Sequence, residues 1–275
     1  MLYKYLPSAR VDVLRNLKIR FSPFESLNDP FEALPLFDHK DRQYIIDELV
    51  NAFEAGLLKD KNHDGKYKGF VFDVVKVLRQ KIENDHLSPE VLGREMMKNI
   101  EEQIGILSLS RTESSLLMWS HYAENGKGFV LGFDSGNSFF GKGNGVDRPV
   151  AVTYSEKRRV FDISEHDIRN HENIPKIFSR KPLEWAYEEE ERFIRLFDFC
   201  DGDVDTGKMD DFGRKIILTG LPIDAIKRVF IGYRTEETTK NGIIESIKKN
   251  KIICRVYESS ICDREYKVIF NEIKI

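Results

Sequence analysis

The sequence predicts an α+β fold with a mixed, largely antiparallel β-sheet core flanked by helices. Short apolar runs with the two-residue alternation of strands occur near the amino terminus, in the middle and throughout the last third of the chain. Stretches with helical spacing separate some of these runs, without the regular strand–helix–strand order of parallel α/β proteins. No Pro-, Gly- and Ser-rich linker divides the chain, so we expect one domain over residues 1–275.

Composition bounds the class of protein. The 275 residues are 41% hydrophobic and 32% charged, which allows a sizeable core and excludes disordered and fibrous proteins. A net charge of -3 provides no global basic field, so any nucleic-acid binding would be local. The cysteines, Cys200, Cys254 and Cys262, form no CxxC pair, and neither an export signal nor an apolar membrane-spanning run is present. We therefore expect a cytoplasmic protein without membrane partners, and the sequence leaves its oligomeric state open.

The first hundred residues predict two strands, a helix and a helical insertion. Residues 2–22 fit a short strand, a helix around residues 9–16 and a second strand at residues 19–22, followed by an Asn-Asp-Pro turn within residues 27–32. From residue 40 to residue 103 the apolar side chains follow helical spacing, and Pro89 fits the first turn of a further helix. We expect a helical insertion over residues 37–104, and we expect residues 40–103 to contribute no strand to the main sheet.

The rest of the chain predicts most of the strands. Residues 106–110 alternate as a strand does, a helix carrying Trp119 follows, and residues 128–133 predict the next strand, with one more running through Val150, Val152 and Tyr154. Further strands are expected near residues 193–197, 215–218, 229–232, 252–257 and 266–270. A helix at residues 236–249 follows the candidate N-cap Thr235, and residues 201–211 predict an exposed acidic loop.

Three familiar kinds of site have no support in the sequence. The glycines of residues 141–145 have neither Walker nor dinucleotide spacing, and they precede a predicted strand instead of a helix. The six histidines form no pair with metal-ligand spacing, so we expect no metal. No G-x-S-x-G nucleophile motif occurs.

Two clusters of bulky polar and aromatic residues remain, at residues 116–123 and 181–192. In the first cluster, Trp119, His121 and Tyr122 have two interpretations. They either pack inward as core residues whose polar atoms find buried hydrogen-bond partners, or they line a pocket. Alternation places the hydroxyls of Ser108 and Ser110 on one face of the strand leading into this helix, which favours a pocket. We therefore predict that strand, turn and helix contribute to one site with the second cluster.

The second cluster contains four consecutive glutamates, Glu188 to Glu191, which are either a solvated charged face or part of a site. If strand geometry begins by Glu188, then Glu188, Glu190 and Arg192 point one way. If the segment is helical, Lys181, Trp185, Glu188 and Arg192 share a face instead. Either geometry pairs a carboxylate with Arg192, which keeps it ionised and suited to stabilising a cationic transition state or orienting a hydroxyl.

Five co-linear motifs carry a resemblance to a known family. They lie at residues 2–5, 20–22 and 27–32, at residues 118–123 with Lys127 and Gly128, and at Lys181 with residues 185–188, Glu190 and Arg192. Together they resemble a large bacterial family known as domain of unknown function 2971. The chain departs from that family at Glu191, where an aromatic residue is expected, and in a longer loop at residues 201–211. The family brings no established activity.

The order of these motifs is also similar to the ADP-ribosyltransferase fold. That resemblance implies a split sheet, NAD as substrate, and cleavage of its glycosidic bond through an oxocarbenium-like state. It implies that Tyr5 and Arg20 grip NAD, that Ser108, Ser110 and Tyr122 line the nicotinamide side, and that Glu190 is the catalytic carboxylate. The full expected set has Glu190, Glu188, His121 and Tyr122 as catalytic residues and Tyr3, Tyr5, Arg20, Ser22, Ser108, Ser110, Trp119, Lys181, Trp185 and Arg192 as cofactor-binding residues.

These residues allow three functions. The first is an ADP-ribosyltransferase-like enzyme with an unknown acceptor, in bacterial defence or stress response. The second is a hydrolase of a glycosidic or phosphodiester bond that uses Glu188 or Glu190 with His121 as acid–base partner. The third is a non-catalytic sensor module whose aromatic residues bind a small nucleotide or a partner protein.

Overall fold

The structure, a computed structural model, describes residues 1–31, 34–38, 76, 80, 104–141, 148–162, 175, 178–196 and 203–275. These residues have the mixed α+β architecture that the sequence predicts, with a large, mostly antiparallel sheet and few helices. The predicted helical insertion at residues 37–104 lies outside the described residues, apart from residues 37, 38, 76, 80 and 104.

Fifteen strands and three α-helices have their bounds within the described residues, and residues 76, 80 and 175 are also α-helical. In chain order the strands are β1 (Leu2–Leu6), β2 (Lys18–Arg20), β3 (Leu36–Asp38), β4 (Ile104–Ser110), β5 (Phe129–Phe133), β6 (Val150–Ala151), β7 (Thr153–Ser155), β8 (Val160–Asp162), β9 (Arg180–Pro182), β10 (Glu190–Leu196), β11 (Val204–Met209), β12 (Lys215–Gly220), β13 (Ile226–Ile231), β14 (Arg255–Ile261) and β15 (Val268–Ile273). The helices are α1 (Asp12–Asn16), α2 (Leu116–Tyr122) and α3 (Glu237–Lys249). Short 3-10 helices lie at Ser8–Val11, Phe24–Ser26, Glu124–Gly126, Ser138–Phe140, Leu183–Glu188 and Ile223–Ala225.

Eight strands form the main sheet in the order β15-β14-β13-β5-β1-β4-β10-β6. Its neighbours are antiparallel except β13 and β14, which run parallel and are connected through α3. Smaller sheets consist of β11-β12-β2, β3-β8 and β7-β9. The amino-terminal strand β1 therefore lies at the centre of the main sheet, next to the strand that carries the two serines.

The pairing between β1 and β4 in the main sheet is short. Strands β1 and β4 are joined at one registered pair, Tyr3 with Ser110. Nearer its amino terminus, β4 is bridged at Ile106 by Ser22, which follows β2. One edge of β4 is thus shared between two partners, and the Lys4 ammonium reaches across to donate a hydrogen bond to the Ser108 carbonyl at 2.9 Å.

Alternation along the strands produces two apolar layers. On one face, Leu14 of α1 and Ile243 of α3 pack with Leu131 and Phe193 in a core of buried aliphatic and aromatic side chains. On the other face, α2 covers a smaller cluster that contains Tyr3, Tyr5, Trp119 and Phe230. Ser110 and Glu190 lie on the face that α2 covers. Ser110 is paired with Tyr3 and Glu190 is paired with Ser110, and directly paired residues of neighbouring strands point to the same face.

Three local predictions from the sequence are wrong. The strand expected through Val150, Val152 and Tyr154 is two strands in different sheets, because Val152 N–H bonds to Glu190 and Thr153 N–H then bonds to Ser179. The expected acidic loop at residues 201–211 contains β11, whose backbone pairs with β12. Thr235 is not the N-cap of α3, since its hydroxyl donates to the Gly128 carbonyl at 2.9 Å and the N-cap is Glu236.

Gly128 allows a close approach of two backbones, and we expect Gly128→Ala to destabilise the protein by about 3 kcal/mol. A Cβ at this position would lie 2.0 Å from the Leu6 carbonyl oxygen, so β1 or β5 would have to shift. Gly220→Ala is the matched control, because a Cβ there meets nothing within 4 Å. Urea unfolding of both variants checks the prediction, and a Gly128→Ala variant as stable as Gly220→Ala would contradict it.

Candidate functional site

A helix-to-strand transition positions the two central carboxylates. Leu183–Glu188 forms a 3-10 helix, Glu189 adopts the left-handed conformation with φ of 44°, and β10 begins at Glu190. The segment is therefore helical up to Glu188 and extended from Glu190, so each of the two geometries weighed from the sequence describes one part of it. This turn aims the side chains of Glu188 and Glu190 at the same ammonium group, that of Lys181.

Four buried charges form a balanced network. Lys181 Nζ lies 2.6 Å from Glu188 Oε2 and 3.0 Å from Glu190 Oε2. Arg192 binds Glu190 with two hydrogen bonds, from Nε to Oε1 and from Nη2 to Oε2, both at 3.1 Å. Glu188, Glu190, Arg192 and Lys181 are 3%, 4%, 0% and 8% exposed. Two cations neutralise two carboxylates in a site closed to water, where such attraction is strong.

Glu190 is held in its ionised form. Burial by itself raises the pKa of Glu190, but the charges of Arg192 and Lys181 outweigh this effect, with a hydrogen bond from Ser108, and lower the pKa to about 2. Of the two interpretations of the glutamate run, a solvated charged face is wrong for Glu190, which is 4% exposed. The carboxylate is thus charged at neutral pH and stabilised by fixed partners instead of water.

The serine strand lies directly beside the glutamate strand. Ser110 is registered opposite Glu190, and Ser108 is registered opposite Arg192. Both serines lie on one face, as alternation along β4 implies. The Ser110 hydroxyl is buried and accepts a hydrogen bond from the Thr112 N–H at 3.1 Å.

Helix α2 brings the first cluster onto the second. Ser115 caps the helix by accepting from the Met118 N–H, and at the other end the Tyr122 hydroxyl donates to Glu188 Oε1 at 2.5 Å. Burial and the Glu188 charge both raise the pKa of Tyr122, so this hydroxyl stays protonated as a donor. His121 is exposed and its Nδ1 lies 2.9 Å from the Tyr187 hydroxyl. Tyr122 joins the carboxylate network, whereas His121 forms its hydrogen bond with Tyr187.

Three of the expected ligand-binding aromatics are core residues. Trp119 is 0% exposed, its Nε1 donates to the Glu113 carbonyl at 2.8 Å, and the ring of Tyr5 meets its face edge-on at 5.5 Å. Tyr5 donates to the Thr112 carbonyl at 2.9 Å, and Tyr3 packs edge-on against a phenylalanine at 6.0 Å. The polar atoms of all three side chains form hydrogen bonds within the fold, so these residues have a structural role beside the site.

Two residues expected in the site have their contacts elsewhere. Arg20 pairs with Asp210 at 2.6 Å, and Asp210 also accepts from the Ser26 hydroxyl. Ser22 contributes its backbone to the bridge with Ile106. The Arg20 contact therefore joins β2 to the residue after β11. The Ser22 contact joins the chain after β2 to β4, towards the opposite end of β4 from Ser110.

Sequence reasoning missed four residues of the site. Tyr154 accepts a hydrogen bond from the Glu190 N–H at 2.8 Å, and Asn28 donates to the Tyr122 hydroxyl at 3.3 Å. Burial lowers the pKa of the Lys4 ammonium to about 8, and the charge of the Glu190 carboxylate acts in the opposite direction by raising that pKa. Asp29 is a buried carboxylate close to Asn28. The Asn-Asp-Pro turn was the one available signal, and it predicted a turn without predicting a ligand.

Lys181 and Trp185 also belong to a pocket of about 490 Å³ beside the carboxylates. The Lys181 ammonium lies 5.1 Å from the centre of the Trp185 ring, which is a cation–π contact. Among the described residues, no group of three or more His, Cys, Asp or Glu side chains is placed to hold a metal ion. None of the helices in the described part of the chain is both long and apolar enough to span a membrane.

Comparison with known proteins adds one match. No curated protein and no solved structure matches the chain. The matching family model carries the description "protein of unknown function (DUF2971)" and covers residues 118–193. That stretch begins in the helix that carries Tyr122 and ends in the strand that carries Glu190 and Arg192. Residues 118–193, and with them most of the candidate site, match an uncharacterised domain family.

Proposed function

We propose that this protein is an ADP-ribosyltransferase-like enzyme of the bacterial cytoplasm that cleaves the glycosidic bond of NAD. The observation that carries the proposal is the register of Glu190 with Ser110 across two adjacent strands, next to the short pairing of β4 with β1. A carboxylate with a pKa of about 2 is a fixed negative charge at neutral pH. Such a charge stabilises a developing ribosyl cation more than it stabilises neutral ribose.

In this mechanism the bond between the ribose carbon and nicotinamide breaks first. The bonding electron pair leaves with nicotinamide, which becomes neutral, and the positive charge moves to the ribose as an oxocarbenium ion. Glu190 faces that charge, and Glu188, held by the Tyr122 hydroxyl, orients the ribose hydroxyls by accepting their hydrogen bonds. An acceptor nucleophile then forms the new bond and loses its proton to solvent. The acceptor is left open between protein, nucleic acid and water.

Access to Glu190 runs past Lys181 in this proposal. Lys181 lines the neighbouring pocket and also contacts both carboxylates, so its side chain separates the pocket from the network. A ribose seated in the pocket reaches Glu190 by displacing the Lys181 ammonium toward the solvent. The positive charge of the ribosyl cation then replaces the displaced ammonium beside Glu188 and Glu190.

The pocket itself favours a second candidate, a nucleotide-binding sensor module without turnover. The hydrolase alternative has less support, because the His121 ring forms its hydrogen bond with Tyr187, which lies beside Glu188 in the chain but is not one of the two carboxylates. An acid–base pair requires its members to reach the same bond. The transferase and the sensor module therefore remain the candidates that an experiment should separate.

Incubation with NAD separates these candidates, and we expect nicotinamide release by the wild-type protein. Release is measured by chromatography, and intact-mass spectrometry of the protein detects self-modification. Saturable NAD binding without nicotinamide release would support the sensor module. If the protein neither releases nicotinamide nor binds NAD at millimolar concentration, both proposals are contradicted.

A further inference from the structure

The pocket beside Lys181 has the chemistry of a nucleotide diphosphate site. We propose that it binds a nucleoside diphosphate group, with the phosphates on Arg158, Arg159 and Arg180, the base on Phe31 and a ribose hydroxyl on Asp29. This proposal deepens the proposed function, because it names the part of the substrate that is held outside the carboxylate network. Its test does not depend on turnover.

Three arginines line the pocket and offer guanidinium donors for an anion. Lys157 and three acidic side chains also line it, and the remaining basic side chain, Lys181, is paired with Glu188 and Glu190. Arg159, Arg180 and Arg158 come from two neighbouring segments, since residues 158 and 159 precede β8 and Arg180 begins β9. Arginine is the side chain best suited to phosphate, because its planar fork donates two parallel hydrogen bonds.

The aromatic residues of the pocket hold the guanidinium groups and offer a surface for a base. Arg159 and Arg180 lie 5.0 and 5.6 Å from the centre of the buried Phe161 ring. These contacts orient both guanidinium groups around one ring. Phe31 is 53% exposed, although a large apolar ring is usually buried. A planar base stacked on Phe31 would cover that exposed surface.

Asp29 provides an independent indication of a ligand. Its side chain is 3% exposed, and its Oδ1 accepts a hydrogen bond from the Phe31 N–H at 2.9 Å, which holds the turn. Its Oδ2 is buried and has no hydrogen-bond partner among the described residues. A buried polar atom without a partner is costly, and a sugar hydroxyl would satisfy it.

Calorimetric titration with ADP, adenosine and inorganic pyrophosphate tests the proposal. We expect ADP to bind at least about tenfold more tightly than adenosine, because adenosine lacks the phosphates. Arg159→Gln should weaken ADP binding by about tenfold. Arg15→Gln is the matched control, since Arg15 is an exposed arginine on α1 that does not line the pocket, and it should leave the ADP affinity within about twofold.

Asp29→Asn separates the ribose contact from the phosphate contact. Asparagine preserves the hydrogen bond from the Phe31 N–H. It places an NH₂ donor at the position from which Oδ2 would accept the hydrogen bond of the ribose hydroxyl. We therefore expect weaker ADP binding and unchanged pyrophosphate binding. Equal affinity for ADP and adenosine, or the same loss in Arg15→Gln as in Arg159→Gln, would overturn the diphosphate site, as would no ADP binding at millimolar concentration.

The two proposals fail in different ways. ADP binding that depends on Arg159, in a protein that releases no nicotinamide from NAD, would keep the diphosphate site and reject the transferase. Nicotinamide release with ADP affinity unchanged in Arg159→Gln would keep the transferase and reject this site.

Discussion

Replacing Arg192 by methionine is expected to lower the free energy of unfolding at pH 7 by about 3–5 kcal/mol. Arg192 is 0% exposed. It donates two hydrogen bonds to Glu190, which lies two residues earlier in the same strand. Methionine fills much of the volume but leaves Glu190 with Lys181 as its remaining cation, at 3.0 Å. The carbonyl of Phe178 also loses the donor that lies 2.5 Å from it. Urea unfolding followed by tryptophan fluorescence measures the loss.

Arg111→Met is the matched control for that experiment. Arg111 pairs with Glu191 at 2.6 Å, but its side chain is 54% exposed, so water replaces the lost contact. We expect a loss of at most about 1 kcal/mol. The double variant Glu190→Gln with Arg192→Met should recover part of the single variant's loss, because it removes the uncompensated charge. Equal losses for Arg192→Met and Arg111→Met would mean that the buried network contributes no more than a surface ion pair.

The fold class and the serine strand could be predicted because their signals are local. Alternation along a strand has a period of two, so Ser108 and Ser110 share a face wherever β4 lies in the sheet. The pairing of a carboxylate with Arg192 was predicted in either geometry, and the pair that forms, with Glu190, lies within one strand as the strand geometry implies. Neither inference required knowledge of which strands are neighbours.

The burial of the glutamates could not be predicted in the same way. Four consecutive carboxylates resemble a solvated face, and what buries Glu188 is Tyr122, 66 residues away, together with Lys181. Arg20 shows the same limit, since it pairs with Asp210, 190 residues later, within a segment expected to be a loop. Long-range pairs of this kind depend on sheet order, which a single sequence does not encode locally. Trp119 was ambiguous for a related reason, because a core tryptophan and a ligand-stacking tryptophan have the same helical spacing.

Glu190→Gln is expected to reduce nicotinamide release by about two to four orders of magnitude if Glu190 stabilises the ribosyl cation. Glutamine has nearly the same shape and removes the charge. Glu189→Gln is the control for activity, because Glu189 is exposed and lies outside the network, so its turnover should match the wild type. Equal, small effects of the two substitutions would mean that Glu190 has a structural role alone.

A loss of turnover must also be separated from a loss of folding, because the buried Glu190 carboxylate stabilises the protein. The depressed pKa, from an ordinary 4.5 to about 2, means that this contribution is present above about pH 4.5 and is lost as pH falls through about 2. The difference in unfolding free energy between wild type and Glu190→Gln should therefore be largest near neutral pH and shrink between about pH 4.5 and 2. Retained ADP binding below the melting temperature would show that the variant is folded while turnover is lost. A stability difference that does not change over this pH range would contradict an ionised Glu190, and with it the electrostatic role on which the proposed mechanism rests.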